Sequence, residues 1–157
     1  MYRTLLLLLL ALAALVFTAP SARAAQADDD YAAAAARYSA SQWAEAAEAF
    51  GRFLDLYANH ERAGVARFYR GESLAQCGKY ELAANVHSEF LQQAPQHEFS
   101  RVARFRSGEC LLLAGNGPEA IARLEQFRTT YPSDELNGYA LVYLGDLNLR
   151  ADKLDDA

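Results

Sequence analysis

The segment Gly71-Glu72-Ser73-Leu74 returns 37 positions later as Gly108-Glu109-Cys110-Leu111, and again as Gly145-Asp146-Leu147-Asn148. The same step joins Trp43, Tyr80, Gly117 and Leu154, then Ala46, Ala83, Ala120 and Ala157. Phe53, Phe90 and Phe127 keep it, as do Pro95 and Pro132. A fixed period of about 20–50 residues marks a repeat array and constrains the architecture before any local reading. One such unit cannot enclose its apolar face alone, so neighbours stack and share a continuous core.

Inside each unit the apolar residues recur at spacings of three and four, the signature of a helix with one buried stripe. Tyr31 to Ser39, rich in alanine, is expected to form a first helix, started by the acidic run Asp28–Asp30. Ser41 is expected to cap a second helix bearing Trp43, Ala46, Phe50, Phe53, Leu54 and Tyr57, which breaks at Asn59-His60. In the second unit Val65, Phe68, Leu74 and Cys77 line a first helix that Gly78 stops. Tyr80, Ala83, Ala84, Phe90 and Leu91 line its second helix, which Pro95 ends. The third unit repeats the scheme from Ser100 to Ala114, turns at Gly115-Asn116-Gly117 and restarts at Pro118, where a missing N–H costs little. A fourth opens at Leu136 with a first helix reaching about Arg150. Leu154 to Ala157 then hold the register of a second helix begun and not finished. Leu141, Leu144 and Leu147 should therefore stand uncovered, either because the polypeptide continues or because the open end is an association surface.

Taken together, a G-x-x-L, a small or turn residue, an aromatic, an alanine three on and a closing proline make a pattern that resembles the tetratricopeptide repeat. That family's helix–turn–helix unit carries the skeleton W-x2-L-G-x2-Y…A-x3-F…P. Leu141, Leu144 and Gly145 match its first half; Ala46 with Phe50, and Ala120 with Leu124, match its second. Pro95 and Pro132 stand at its closing proline. Arg67 and Arg104 occupy the tryptophan slot, and Arg70 and Ser107 the leucine slot. The step of 37 exceeds the usual ~34, as in bacterial envelope repeat proteins, to which the chain is similar. The resemblance implies an all-α fold, an α-solenoid of stacked antiparallel helix pairs over residues 25–157, with units at about 25–58, 59–95, 96–132 and a partial 133–157. It also implies a concave face built by the first helices, on which Phe68, Glu72, Ala75, Phe105, Glu109, Leu112, Val142, Asp146 and Leu149 would meet a protein or peptide partner. The acids Glu72, Glu109 and Asp146, set between apolar positions, suit a basic or amide-rich extended segment. The competing account is a solvated ridge paired with Arg67, Arg70, Arg104 and Arg106, each pair contributing ~0–1 kcal/mol.

Residues 1–24 have the composition of an export leader: Arg3, an apolar run from Leu5 to Phe17, and the cleavage pattern Ala22-Arg23-Ala24. The run is too short for a span of ~20 residues, and no cysteine near the cleavage site offers a lipid anchor. Cleavage after Ala24 and a soluble product in the Gram-negative periplasm are expected. That cleavage removes Arg3 and Arg23, taking the formal net charge from −5 to −7. An acidic surface disfavours nucleic acid and anionic membranes as partners and otherwise promotes solubility.

Two cysteines in an exported chain raise the question of a bridge. Cys77 and Cys110 are 33 positions apart, out of step with the repeat. Helix axes ~8–10 Å apart plus an offset of ~6 Å along the axis exceed the ~7 Å between Cα atoms that a disulfide tolerates. Two free thiols packed as small hydrophobes are expected.

His60-Glu61, His97-Glu98 and Asp134-Glu135 recur at the same step. Equivalent positions in stacked helices stand ~10 Å apart, whereas zinc needs every ligand within ~2.0–2.3 Å, so the row is expected to be structural, its acids favouring the helix starts. His87 fills a position held by Phe50 and Leu124 and is expected to be packed, not catalytic. Gly71, Gly108 and Gly145 lie inside helices, where glycine costs ~1 kcal/mol. Close approach of the paired helix at Ala83 and Ala120 would explain all three. Gly-rich phosphate loops, H-E-x-x-H, G-x-S-x-G and C-x-x-C are absent from the sequence. The functional expectation is a non-enzymatic adaptor without metal or cofactor, mediating protein–protein interaction in the bacterial cell envelope. The alternatives are the leading repeat module of a larger envelope enzyme or outer-membrane assembly factor, and a self-association module acting through the incomplete fourth unit.

Overall fold

The structure, a computed structural model, describes residues 22–155, which form seven helices and no strand. They are α1 (22–39), α2 (Trp43–Leu56), α3 (Ala63–Gln76), α4 (Tyr80–Gln93), α5 (Ser100–Leu113), α6 (Gly117–Thr130) and α7 (Asn137–Asp155). Most of the expected leader lies outside the described residues; 22–24 form the first turn of the described part of α1. The helix thus extends back through Asp28–Asp30, and that acidic run does not start it.

One turn design joins the helices of each pair. Gly78 (φ 72°) follows α3 in the left-handed conformation. Its N–H donates to the Ala75 carbonyl, and the Lys79 N–H donates to that of Leu74, the Schellman closure that satisfies the last carbonyls of a helix. Gly115 (φ 83°) ends α5 in the same way, with bonds from Gly115 to Leu112 and from Asn116 to Leu111. Ser41 stands at this register after α1 with φ 58°. The N–H groups of Ser41 and Gln42 donate to the Tyr38 and Arg37 carbonyls. Ser41 therefore closes α1 and does not cap α2, whose N-cap residue is Gln42, with no side-chain capping bond.

The links between pairs use a second device. The N–H of Arg62 donates to His60 Nδ1 at 3.2 Å, and that of Phe99 to His97 Nδ1 at 3.2 Å. The Leu136 N–H donates likewise to Asp134 Oδ1 at 2.9 Å. The recurrent histidine–aspartate row thus holds the turns that lead into α3, α5 and α7, where helix starts leave N–H groups unmet. Ser100 Oγ donates to the Ala94 carbonyl and Asn137 Nδ2 to that of Tyr131, tying α5 to the end of α4 and α7 to the end of α6.

Packing runs in sequence order: α2 on α3, α3 on α4, α4 on α5, α5 on α6, and α7 on both α6 and α5. Three rows of equivalent residues make the shared core. Ala46, Ala83 and Ala120 are fully buried, as are Phe53, Phe90 and Phe127 within 1 % and Ala66, Ala103 and Ala140. Small residues let the axes approach, and each phenyl ring withdrawn from water contributes about 1.5–3 kcal/mol.

The interior glycines face a side chain, not the alanines expected. A Cβ on Gly71 would lie 2.7 Å from the His87 ring, and one on Gly108 2.9 Å from the Leu124 side chain. Position 87 or 124 of the second helix thus seats in a notch that the first helix leaves open. Gly145 meets nothing within 4 Å. Also against expectation, α7 continues to Asp155 without a break near Arg150. Asp152 stands there at the register of Gly78 and Gly115. Of the three leucines expected to be uncovered, Leu144 and Leu147 are buried against the core, and only Leu141 is exposed. The exposed stripe of α7 is Tyr139, Leu141, Val142 and Leu149.

Candidate functional site

The sequence places a docking face along the first helices, α1, α3, α5 and α7, and the structure divides its nine residues into four groups. Phe68, Ala75 and Phe105 are at most 7 % exposed. Phe68 stacks on Phe99 with ring centroids 4.5 Å apart, and Phe105 packs on Phe127 and Tyr143. These three hold the repeats together and are not accessible to a partner. Leu112, partly buried, lines a hollow of about 310 Å³ with Ile121 and Leu147, between the α5–α6 turn and α7. Val142 and Leu149 lie on the exposed stripe of α7, where Asp146 pairs with Arg150 at 2.6 Å in an open position.

Glu72 and Glu109 belong to an ordered chain of charges. Arg106 Nε donates to Glu72 Oε1 at 2.8 Å, and its Nη1 donates to Glu109 Oε2. Tyr143 Oη donates to Glu109 Oε1 at 2.7 Å. Each acid thus bonds the residue 34 positions on, so the same contact joins α3 to α5 and α5 to α7. Arg106 and Glu72 expose only 20 % and 15 % of their side chains, a degree of burial at which charge-assisted bonds strengthen. These two acids are bridges between repeats and not a solvated ridge.

His87, fully buried, extends this chain inward. Its Nε2 lies 3.2 Å from Glu72 Oε1, at ion-pair distance but off the axis of a hydrogen bond. Burial acts to raise the Glu72 carboxyl pKa, and His87 and Arg106 together overcome it, holding the group below its ordinary value. Burial likewise acts to lower the Arg106 pKa, and Glu72 and Glu109 outweigh it, so the guanidinium is held charged. The Tyr143 hydroxyl is pushed up to about 12 by burial and by its bond to Glu109. Cys110, buried beside this network, has its thiol pushed up to about 12, chiefly by burial. Cys77 and Cys110 are both free thiols.

Beside the charged strip lies a tyrosine-lined hollow that the spacing argument missed. Tyr31, Ala35, Tyr38, Ser39, Phe50 and Tyr69 enclose about 260 Å³ between α1 and α3. Tyr38 meets Tyr69 edge-on at 4.8 Å and Trp43 at 5.1 Å. Burial raises the Tyr31 and Tyr38 hydroxyl pKa values, with the Glu72 charge adding at Tyr38. Aromatic walls with hydroxyl rims suit partner side chains that are apolar at one end and polar at the other. The signal available in the sequence was the register Tyr69, Arg106, Tyr143, three residues before the acids. A larger hollow, about 460 Å³, lies between the start of α1 and the end of α2, where Arg23 Nη2 donates to the Leu56 carbonyl. Cleavage after Ala24 would remove two of its lining residues.

Among the described residues, no cluster of three or more histidine, cysteine, aspartate or glutamate side chains could hold a metal ion. No described helix is long and apolar enough to cross a membrane. A search of curated proteins found no match. The family model for the tetratricopeptide repeat matches residues 102–134, the span of the α5–α6 pair. Such repeats generally act as scaffolds that bind protein partners. The α3–α4 pair repeats the turn, the buried alanine and phenylalanine rows and the glycine notch of the matched pair, so the matched stretch is one unit of an array of tetratricopeptide-type helix pairs.

Proposed function

We propose that this protein is an exported, non-catalytic scaffold of the bacterial cell envelope, working in the periplasm, whose first-helix face docks a protein or peptide partner. The observation that carries the docking reading is the tyrosine-lined hollow between α1 and α3, open beside the Glu72–Arg106–Glu109 strip. Tyr38 and Tyr69 are only partly buried there, so both rings can trade solvent for a partner. Export rests on the composition of residues 1–24.

Two experiments test the reading. Tyr38→Ala with Tyr69→Ala, checked for retained helicity by circular dichroism, should lose the partners that the parent captures from envelope extract. Capture of the same partners by the variant would remove the tyrosine hollow from the account. Intact mass of protein recovered from the periplasm should correspond to a chain starting at Ala25; a chain still starting at Met1 would remove export.

Self-association is the second reading, favoured by the exposed α7 stripe of Tyr139, Leu141, Val142 and Leu149. Light scattering over a range of concentrations decides it, since a strict monomer rules it out.

A further inference from the structure

Away from the first-helix face, the three helix pairs carry one charged position in common, and the third departs from the other two. Residues 30, 67 and 104 are equivalent on the first helices, as are 52, 89 and 126 on the second helices. In the first pair Asp30 and Arg52 line one hollow together. In the second, Arg67 faces Glu89: burial lowers the Arg67 pKa, and the Glu89 carboxylate opposes that shift. The sign is reversed between these pairs, but each sets an acid against a base. In the third pair the acid is gone: Arg104 shares its pocket with Gln126. Two neighbouring positions change as well, one gaining a guanidinium and the other losing one. Val86 of the second pair becomes Arg123, and Arg70 becomes Ser107, a hydroxyl. The pocket, about 20 Å³, is lined by Leu91 of α4, Arg104 and Ser107 of α5, and Arg123, Gln126 and Phe127 of α6. None of the polar groups in that lining is a carboxylate, and the Ser107 hydroxyl lies 3.3 Å from Ser88 Oγ. The Arg104 Nε atom is buried and has no hydrogen-bond partner among the described residues.

We propose that the third helix pair carries an oxyanion-binding site at Arg104 and Arg123, receiving one carboxylate or phosphate group from a partner. The pocket holds a single oxygen atom beside Arg104 Nε, while the rest of the anion lies at the mouth against Arg123 and Gln126. A guanidinium fork suits this geometry, because it presents paired donors to two oxygens of one planar or tetrahedral anion. A water molecule of the same size could occupy the inner position, but it would not neutralise the Arg104 guanidinium. Arg123 also pairs with Glu119 at 3.3 Å, with side chains 38 % and 47 % exposed. Such an exposed i,i+4 pair contributes little and yields readily to a ligand. The site opens on the side of α4 and α6, the second helices, so it can be occupied while the first-helix face holds a partner.

The test is a titration of the full chain with sodium acetate and, separately, inorganic phosphate, at constant ionic strength kept by sodium chloride. The arginine Nε–Hε resonances report directly, and that of Arg104 is assigned by its loss in Arg104→Lys. A saturable shift of this resonance with either ion supports the site. Acetate binding identifies a carboxylate-bearing partner, and phosphate binding alone identifies a phosphorylated one. Gln126→Glu recreates the arrangement of the second pair and should weaken binding at least tenfold while the helical spectrum is kept. Arg123→Gln should weaken it several-fold. A shift that only follows ionic strength, or an affinity unchanged by Gln126→Glu, overturns the proposal.

Discussion

Alanine at Gly108 sets two effects of similar size against each other, and the structure decides the sign. In a helix interior alanine is favoured over glycine by up to about 1 kcal/mol. The added Cβ, however, would lie 2.9 Å from both Cγ and Cδ2 of Leu124 and 3.3 Å from its backbone nitrogen. Leu124 is fully buried and cannot swing into solvent. Overpacking of this kind costs about 1–3 kcal/mol, so Gly108→Ala should destabilise by about 0–2 kcal/mol. Gly71→Ala should be worse, since its Cβ meets the His87 ring at 2.7–3.0 Å and a rigid ring yields less than an aliphatic chain. Gly145→Ala meets nothing and should stabilise by up to about 1 kcal/mol. Urea unfolding midpoints of the three variants should therefore rank Gly145→Ala above the parent, then Gly108→Ala, then Gly71→Ala. Leu124→Ala opens the notch at its own cost of about 2–5 kcal/mol, and in that background Gly108→Ala should become stabilising. The coupling between the two sites should exceed about 1 kcal/mol. Equal effects at the three glycines, or additivity of positions 108 and 124, would refute the notch.

Further outcomes follow from single contacts. Ser41→Gly removes a non-glycine residue from the left-handed region and should raise stability by about 0.5–1 kcal/mol in chemical denaturation, matching the glycines at 78 and 115. Arg106→Ala leaves Glu72 and Glu109 without their shared partner in a partly buried place and should cost about 2–4 kcal/mol by the same assay. Because the folded-state pKa of Glu72 is lowered, its contribution is complete above the unfolded value of about 4.3 and is lost as pH falls through the folded value. The stability difference between parent and Glu72→Gln should therefore shrink below about pH 4; a constant difference would exclude the ionic bridge. In alkylation at pH 8, half-exposed Cys77 should react in the folded protein, whereas buried Cys110, its thiol raised to about 12, should react only on unfolding.

What was legible in the sequence followed from spacing, and what was missed depended on direction. A 37-residue step with three- and four-residue spacing inside it sufficed for stacked helices, for the stop at Gly78 and for the buried phenylalanine row. It also located Glu72 and Glu109 at one register. Spacing alone did not say whether those acids point to solvent or to the next helix, because their partners, Arg106 and Tyr143, come from the following repeat. Phe68 and Phe105 share a helix with those acids, but their direction places them in the core. Ser41 has the chemistry of a helix N-cap, and only its positive φ shows that the repeat register, and not residue type, set its role. The row His60, His97, Asp134 shares no charge type. Its common property, an acceptor placed two residues before a backbone N–H, emerges only when the turns are formed. The tyrosine hollow gathers residues from three helices of two repeats, so no single repeat unit contains its pattern.

The central claim is that each helix pair leans on its immediate neighbours in an open stack. Aromatic-edited NOE spectroscopy tests it most directly, since rings mark every junction. Cross-peaks should join Tyr38 with Tyr69, Phe68 with Phe99 and Phe105 with Tyr143, whose centroids are 4.8, 4.5 and 6.2 Å apart. None should join Tyr31 or Tyr38 of α1 with Tyr139 or Tyr143 of α7. Cross-peaks between those two ends, or absence of the junction peaks, would contradict the stack.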